Sequence, residues 1–236
     1  MTQIIAFISQ AGDAGKTTLA TAMAVELVKQ ERPCLLIDLD LEHRDAGYSA
    51  FNIHKTRSRR QKHLEQFDIE LATDVKNAKA IAREAVLSQD YDCVIIDCPS
   101  RATAAIVDVL ETTDLIVYPM RPTQKDFKLT RSTLLALMGS QIPLKRIAIT
   151  LSRCRTQTEA EAYKTLLRKH SAGSFQVIDP VTFEKAAYNQ SATDKGLTIC
   201  EGSPLSLRMA AKAQVMAIID RVAFAADPAT QTFEAA

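Results

Sequence analysis

The ten residues from 9 to 18, "SQAGDAGKTT", contain the glycine, lysine and threonine order that proteins use to hold phosphate. An apolar run precedes the stretch and a helical pattern follows it, which is the context that a phosphate-binding loop requires. Backbone N–H groups would line the anion, and the first turn of the helix would add its partial positive charge. The candidate contacts are Ala11, Gly12, Asp13, Ala14, Gly15, Lys16, Thr17 and Thr18. Lys16 would reach the β- and γ-phosphates, Thr17 would hold Mg²⁺ and Thr18 would contact the α-phosphate.

Three acids follow apolar runs that read as strands. Asp38 and Asp40 close "LLIDLD", and Asp97 closes "CVIID". Acids at the carboxyl ends of parallel strands lie where such sheets bind ligands. A carboxylate there can fix Mg²⁺ through water, and one near the γ-phosphate can orient an attacking water. The alternative for any one of them is an acid that caps the next turn.

The elements that must position these residues alternate between short apolar runs and longer helical patterns. Runs that are apolar on both faces and joined by helix-length connections predict a doubly wound, mostly parallel α/β sheet with helices on both faces, as in P-loop NTPases. The predicted strands are 3–9, 34–40, 92–97, 114–120, 146–152 and, more weakly, 174–179; the predicted helices are 16–30, 75–88, 101–111, 124–138, 157–170 and 204–225. The last helix is expected to pack on the sheet through Leu205, Met209, Lys212, Met216, Ile219 and Val222.

Composition limits the classes of protein that the chain can belong to. Its 236 residues, 47% hydrophobic, predict a single domain over 1–226 with a loose C-terminal tail over 227–236. A net charge of +1 gives no bulk attraction to DNA or membranes. The five cysteines form no C-x-x-C pair and suit reduced structural thiols. No signal peptide or membrane-length apolar run is evident, so a cytoplasmic location is expected.

The same segments resemble the ParA/MinD family of deviant Walker-A ATPases. "SQAGDAGKTT" aligns with the family's "NQKGGVGKTT", "LLIDLD" with "LLIDLDPQ" and "VIIDCPS" with "VIIDCPPS". "LIVYPMRPTQKDF" is similar to the family's strand followed by Pro-x-x-Pro. The resemblance covers most of residues 1–155, and the chain is similar in size to small ParA proteins of plasmid partition and to McdA-like ATPases that position carboxysomes.

What the resemblance implies is a switch driven by ATP and Mg²⁺. The family forms an ATP-dependent homodimer that binds DNA without sequence preference, and a ParB-like or McdB-like adaptor stimulates hydrolysis. By position, Lys16 matches the phosphate-binding lysine, Asp40 the water-orienting carboxylate, and Asp38 and Asp97 the acids on the metal side. Arg153, in "LSRC", stands where the family often contacts the base. The implied location is cytoplasmic, on the nucleoid when ATP is bound, and away from membranes.

Two residues depart from the family pattern. Ala11 stands where the signature lysine normally crosses the dimer to the partner's phosphates, a charge-assisted contact of roughly 1.5–3 kcal/mol. Asp13 replaces a glycine, although aspartate tolerates unusual backbone angles better than most residues. We expect Arg153 or Arg155 to supply the missing cation; solvated loop charges are the alternative. Arg101 and Lys125 follow strand ends on the same side.

Two groups of basic residues are candidates for DNA binding. The C-terminal group contains Lys185, Lys195, Arg208, Lys212 and Arg221, and the other is Lys55, Arg57, Arg59, Arg60 and Lys62. Arg208 and Lys212 are one helical turn apart and share a face, so they could straddle phosphates, although a solvated helix face explains them equally well. The second group reads equally well as a charged surface loop.

Other functions remain open from the sequence. A relative that binds ATP with little hydrolysis is consistent with Ala11. A MinD-like membrane switch would want a basic amphipathic C-terminus, and "FAADPATQTFEAA" has none. A small metabolic P-loop enzyme would want additional substrate loops.

Overall fold

A computed structural model describes residues 1–40, 49–100, 103–184, 192, 194–202 and 204–226, and the tail predicted over 227–236 lies outside these residues. Its centre is a seven-stranded sheet in the order β3-β2-β4-β1-β5-β6-β7. Every neighbouring pair is parallel. The strands are β1 Gln3–Phe7, β2 Cys34–Asp38, β3 Asp68–Leu71, β4 Cys93–Asp97, β5 Leu115–Met120, β6 Ile147–Leu151 and β7 Gln176–Ile178. The predicted doubly wound parallel sheet is confirmed.

Helices cover both faces of this sheet. They are α1 Lys16–Val28, α2 Ala50–Arg60, α3 Val75–Ser88, α4 Thr103–Leu110, α5 Gln124–Gly139, α6 Gln157–Ser171 and α7 Leu205–Ala226. One apolar core joins the sheet to α3, α4, α5 and α6, and the other joins it to α1, α2 and α7. All five cysteines are free and buried, as expected for structural thiols.

Two elements were missed by the sequence reasoning. β3 is an edge strand whose residues alternate between exposed and half-buried, so it lacks the continuous apolar run of the central strands. α2 contains most of the charge run for which a DNA-binding group and a charged surface loop are the alternatives predicted from the sequence. It is polar over most of its surface and buries only Ala50, Ile53 and Arg57. A helix with so narrow an apolar stripe gives little periodic signal.

The stripe predicted for the last helix is confirmed toward its C-terminal end, where Ile219 and Val222 are buried and Met216 packs against the core, and is wrong at its start. Leu205 and Met209 are 65% and 63% exposed, and Lys212 is exposed as well. The buried face consists of Ala211, Gln214, Val215, Ile218, Ile219 and Val222. Spacings of three and four residues fit both sets, so the pattern did not fix the helix's rotation about its axis.

Arg57 is also placed differently from the prediction, because it is buried, with 0% of its surface exposed. Its guanidinium binds both carboxylate oxygens of Glu201, at 2.7 and 3.1 Å, and the carbonyls of Glu65 and Gly196. Lys29 lies 3.0 Å from Glu201 and 3.1 Å from Glu26. Arg57 is therefore occupied inside the fold and cannot meet DNA.

Gly196 is required at this junction. Its φ is +67°, and a Cβ there would lie 2.3 Å from the backbone nitrogen of Arg57. Burial disfavours ionisation of Glu201, but hydrogen bonds and charge from Arg57 outweigh it and hold the pKa of Glu201 at about 2. The ion pair thus joins the end of α2 to the segment that leads into α7.

We expect Arg57→Met to lower the free energy of unfolding by about 3 kcal/mol at neutral pH, because it leaves a buried carboxylate short of its main partner. The folded pKa of Glu201 is depressed from 4.5 to about 2, so the pair stabilises the fold fully above pH 4.5 and less as the pH falls toward 2. Denaturant unfolding of both proteins across this range should therefore show the difference narrowing in acid.

Arg59→Met is the matched control, since Arg59 is an exposed arginine on the same helix. Its effect should stay within about 0.5 kcal/mol. Equal losses of unfolding free energy in the two variants would contradict the structural role of the Arg57–Glu201 pair.

Candidate functional site

The loop between β1 and α1 has the backbone of a phosphate cradle. Gly15 precedes the first helical residue with φ 92°, and Asp13 has φ 58°. Both angles lie in the left-handed region, where glycine is unstrained and aspartate is tolerated. The expectation that Asp13 permits the loop to form is confirmed.

The amino-terminal turn of α1 carries no side-chain cap and no acid. The first N–H groups of a helix have no partner within the helix, and a cap normally satisfies one of them. Here these donors and the positive end of the helix dipole face the loop's interior. An anion would complete their hydrogen bonding.

Side chains near the carboxyl ends of β1, β5 and β6 hold the loop through hydrogen bonds. The hydroxyl of Ser152, just after β6, donates to the carbonyl of Ala14. Ser9 Oγ bonds both the N–H and the carbonyl of Ala11 at 3.2 Å, and Tyr118 Oη accepts from the N–H of Gln10. Arg153 Nη1 donates to the carbonyl of Asp13 over 2.9 Å. These hydrogen bonds fix the backbone of the loop at Gln10, Ala11, Asp13 and Ala14.

Lys16 and Thr17 reach toward β4. Lys16 is buried, and its Nζ donates to Ser100 Oγ over 2.7 Å. Thr17 Oγ1 donates to Asp97 Oδ2 over 2.6 Å. β1 lies beside β4 in the sheet, with Phe7 opposite Asp97, which brings the loop and this acid together. Ser100 was not singled out from the sequence, because no motif rule assigns a role to a serine three residues after a strand.

Asp97 is fully buried, and its Oδ1 has no hydrogen-bond partner within the described part of the chain. Burial first, and then the charge of Asp38, raise the pKa of Asp97 to about 7. An orphaned buried carboxylate oxygen beside a threonine hydroxyl fits a hard cation such as Mg²⁺, which takes oxygen ligands and keeps several waters. Within the described residues there is no group of three or more His, Cys, Asp or Glu side chains that could hold a metal alone. A metal here would need oxygens from phosphate or water.

Asp38 and Asp40 lie beside Asp97 as expected, because β2 pairs with β4 and sets Asp38 opposite Asp97. Asp38 Oδ1 accepts from the N–H of Asp40 at 3.1 Å, and its Oδ2 accepts from the N–H of Phe51 at 3.0 Å in the first turn of α2. Asp38 therefore accepts backbone N–H groups beyond its strand, which is the alternative role given above for any one of the three acids. Asp40 is buried.

The four candidate cations differ in their surroundings. Arg153 is bound within the chain, to the Asp13 carbonyl and, through Nη2, to Glu184 at 3.0 Å. Arg155 is exposed, and no described residue accepts a hydrogen bond from its guanidinium. Lys125 is exposed near the start of α5. Arg101 lies outside the described residues.

A further ion pair at the same edge was missed. Arg121, directly after β5, binds Asp126 through Nε at 2.8 Å and Nη2 at 3.2 Å. Hydrogen bonding to Asp126 raises the pKa of Arg121, to which the charges of Asp13 and Glu184 also contribute. The sequence did contain a signal for Arg121. Like Arg101, Lys125 and Arg153, it follows the carboxyl end of a predicted strand.

The DNA candidates on α7 are only partly available. Lys212 is exposed and lies 3.4 Å from Glu26, whereas Arg208 is half-buried. Arg221 Nη2 donates to the carbonyl of Lys145 over 3.0 Å. Lys195 is exposed, and Lys185 lies outside the described residues. Arg208 and Lys212 share a face, as the spacing predicted.

We expect Asp97→Asn to raise the free energy of unfolding of the metal-free, nucleotide-free protein by roughly 2–4 kcal/mol at pH 8. The folded pKa is raised from 3.8 to about 7, so ionised Asp97 destabilises the fold progressively as the pH rises through this range, and asparagine carries no such charge. Denaturant unfolding with a chelator present measures the effect.

The same pair of proteins supplies an internal control, since their stabilities should converge near pH 4, where Asp97 is protonated in the folded state. A pH-independent difference would contradict the raised pKa of Asp97.

None of the described helices combines the length and the apolar character that a membrane span requires.

Comparison with known proteins identifies the family. The model described as the CobQ/CobB/MinD/ParA nucleotide binding domain matches residues 5–197. No curated protein matches the chain by sequence.

Solved structures share the fold at low sequence identity. MinD of Pyrococcus horikoshii in complex with Mg-ADP is 18% identical, with a TM-score of 0.68, over 96% of this chain and all (100%) of that one. A putative plasmid partition protein of Borrelia burgdorferi bound to AMPPNP is 12% identical, with a TM-score of 0.67, over 94% and 100% of the two chains. A Cyanothece McdA variant in complex with ATP is 16% identical, with a TM-score of 0.66, over 92% and 96%. With a family model spanning most of its length, this chain belongs to the CobQ/CobB/MinD/ParA nucleotide-binding family.

Proposed function

We propose that this protein is a ParA-type ATPase that dimerises on ATP, binds DNA without sequence preference and positions a cargo, a plasmid or a protein compartment, over the nucleoid. The observation that carries the proposal is the pairing of Thr17 with Asp97 at the uncapped start of α1. This arrangement offers a hydroxyl and a carboxylate to a metal beside N–H donors for phosphate. Phosphoryl transfer depends mainly on such positioning and charge.

ATP and Mg²⁺ are the proposed cofactors. The loop from Ala11 to Gly15 would hold phosphate oxygens through its N–H groups, with Lys16 and Thr18 adding side-chain contacts. Thr17, Asp97 and, through water, Asp38 would hold the metal. When bound, Mg²⁺ supplies positive charge that offsets the charge on the phosphate oxygens. Lys16 would exchange its hydrogen bond with Ser100 for phosphate.

Hydrolysis would depend on Asp40. A buried carboxylate at the end of β2 can accept a proton or hydrogen bond from an attacking water. Asp38 supports this role because its carboxylate accepts the N–H of Asp40 and so holds the backbone at Asp40. Lys16, Asp38 and Asp40 form the proposed catalytic set.

Dimerisation needs a cation in place of the lysine missing at Ala11. Arg153 is engaged with Asp13 and Glu184 of its own subunit, so it suits base or loop contacts better than a contact across the dimer. Arg155 has an exposed guanidinium on the same loop, so of the two it is the better cation for a partner's phosphate. Such a contact would be charge-assisted.

DNA binding and an adaptor complete the proposal. Lys212 and Arg208 on α7, with Lys195, Arg221 and Lys185, are the proposed DNA contacts. A ParB-like or McdB-like adaptor would stimulate hydrolysis and release. Similarity in fold to a plasmid partition protein and to McdA supports this function, and cytoplasmic, nucleoid-associated localisation follows from it.

A second candidate is an ATP-binding relative that hydrolyses little. Two observations favour it: Ala11 removes the cation that crosses the dimer, and Arg153 is turned toward its own subunit. The two candidates share the nucleotide site and differ in turnover.

ATP hydrolysis and ATP-dependent dimerisation separate these candidates. We expect slow Mg²⁺-dependent hydrolysis that DNA accelerates, and a dimer by light scattering with ATP but not with ADP. Lys16→Ala should abolish both, because it removes the side chain that reaches the phosphates. Dimerisation without hydrolysis, with or without DNA, would favour the binding-only relative.

The cation substitution has its own test within this assay. Arg155→Gln should lose at least about tenfold in ATP-dependent dimer affinity, the factor that corresponds to a charge-assisted hydrogen bond. Lys125→Gln is the matched control, because Lys125 is also an exposed cation and lies in the first turn of α5. An unaffected Arg155→Gln dimer would exclude Arg155 as the substitute.

DNA binding should require ATP and weaken steeply with salt. An Arg208→Gln, Lys212→Gln double variant should reduce the slope of log K against log salt by about 2, since each lost phosphate contact removes ~0.9. Lys76→Gln with Lys79→Gln changes the same charge on α3, across the sheet, and should leave the slope unchanged. An equal effect of the two double variants would rule out α7 as the DNA-binding face.

A further inference from the structure

Asp13 introduces a negative charge into the phosphate loop itself. Its side chain is exposed, and its left-handed φ of 58° lies in the loop that precedes α1. Within the described part of the chain, its carboxylate accepts no hydrogen bond and forms no ion pair; only its carbonyl is engaged, by Arg153. The carboxylate therefore serves neither to cap the helix nor to brace the loop.

The two arginines beside the loop are paired with other acids. Arg153 Nη2 lies 3.0 Å from Glu184, and Arg121 grips the buried Asp126 through two nitrogens. Asp13 acts on Arg121 only through space, as one of the charges that raise its pKa after Asp126. Each arginine is thus paired with another carboxylate, so neither of them forms an ion pair with the exposed carboxylate of Asp13.

We propose that the carboxylate of Asp13 is a specificity-determining group of the nucleotide site, which opposes the charge of a bound polyphosphate and weakens binding of the triphosphate more than of the diphosphate. The inference rests on the proposed nucleotide site. Like charges at short range repel, and the repulsion grows with the number of phosphate charges. Ser152 and Arg153 hold the backbone carbonyls of Ala14 and Asp13, so the Asp13 backbone stays in the loop and only rotation of its side chain can move the carboxylate.

A substitution that removes only the charge tests this. Asparagine is isosteric with aspartate and tolerates a left-handed φ equally well. With Mg²⁺ and low salt, Asp13→Asn should bind the non-hydrolysable analogue AMPPNP about three- to tenfold more tightly than wild type, and ADP by a smaller factor. High salt should reduce this gain in affinity, because salt screens exposed charges such as the Asp13 carboxylate. Calorimetry with AMPPNP and ADP measures both.

Two further variants make the outcome decisive. Glu84→Gln removes one exposed acid from α3 and should change neither affinity, which separates a local effect from net charge. Asp13→Gly removes the same charge with a different side chain and should reproduce the gain even if the asparagine variant folds poorly. If the wild type binds AMPPNP and neither Asp13 variant binds it more tightly, the inference about Asp13 is wrong and the proposed nucleotide site still stands. A wild type that binds neither AMPPNP nor ADP would overturn the proposed site itself.

Discussion

The open first turn of α1 is the constraint on which the rest of the site depends. A helix beginning without a side-chain cap leaves N–H donors that need a partner, and here they face a loop closed by left-handed residues. That loop keeps its shape because Ser152 and Arg153, both just past β6, hold its carbonyls. The parallel sheet makes this bracing available, since the ends of β1, β4, β5 and β6 lie along one edge. The proposed phosphate binding would therefore rest mainly on backbone N–H groups, with the side chains of Lys16 and Thr17 adding contacts.

Most of the fold and the centre of the site could be predicted from the sequence. The central strands are apolar on both faces, which is a strong and local signal, and a phosphate loop must lie between a strand and a helix. The acids at strand ends were found for the same reason, because parallel strands deliver their carboxyl ends to one edge. Asp97 beside Thr17 follows from these two facts alone.

What could not be predicted depends on contacts between distant parts of the chain. Arg57 is separated from Glu201 by 144 positions, so no spacing rule links them, and a buried arginine in a charged run looks like a solvated one. Ser100 and Ser152 act through single hydroxyls at strand ends, which no motif distinguishes from ordinary turn serines. β3 was missed because an edge strand with alternating exposure lacks the apolar run on which the other strands were recognised.

Asp38 links the candidate site to α2, because its carboxylate accepts the N–H of Asp40 within the site and the N–H of Phe51 in the first turn of α2. Its carboxylate receives the N–H of Phe51 and so orients the start of α2, while Arg57 near the other end of that helix is fixed to Glu201. α1 runs from the phosphate loop to Glu26 and Lys29, and Lys29 contacts the same Glu201. Both helices that begin at the site therefore end at one carboxylate, four residues before the start of α7. Lys212 of α7 lies 3.4 Å from Glu26, so an ion pair also joins α7, which packs on the sheet through its apolar face, to the end of α1.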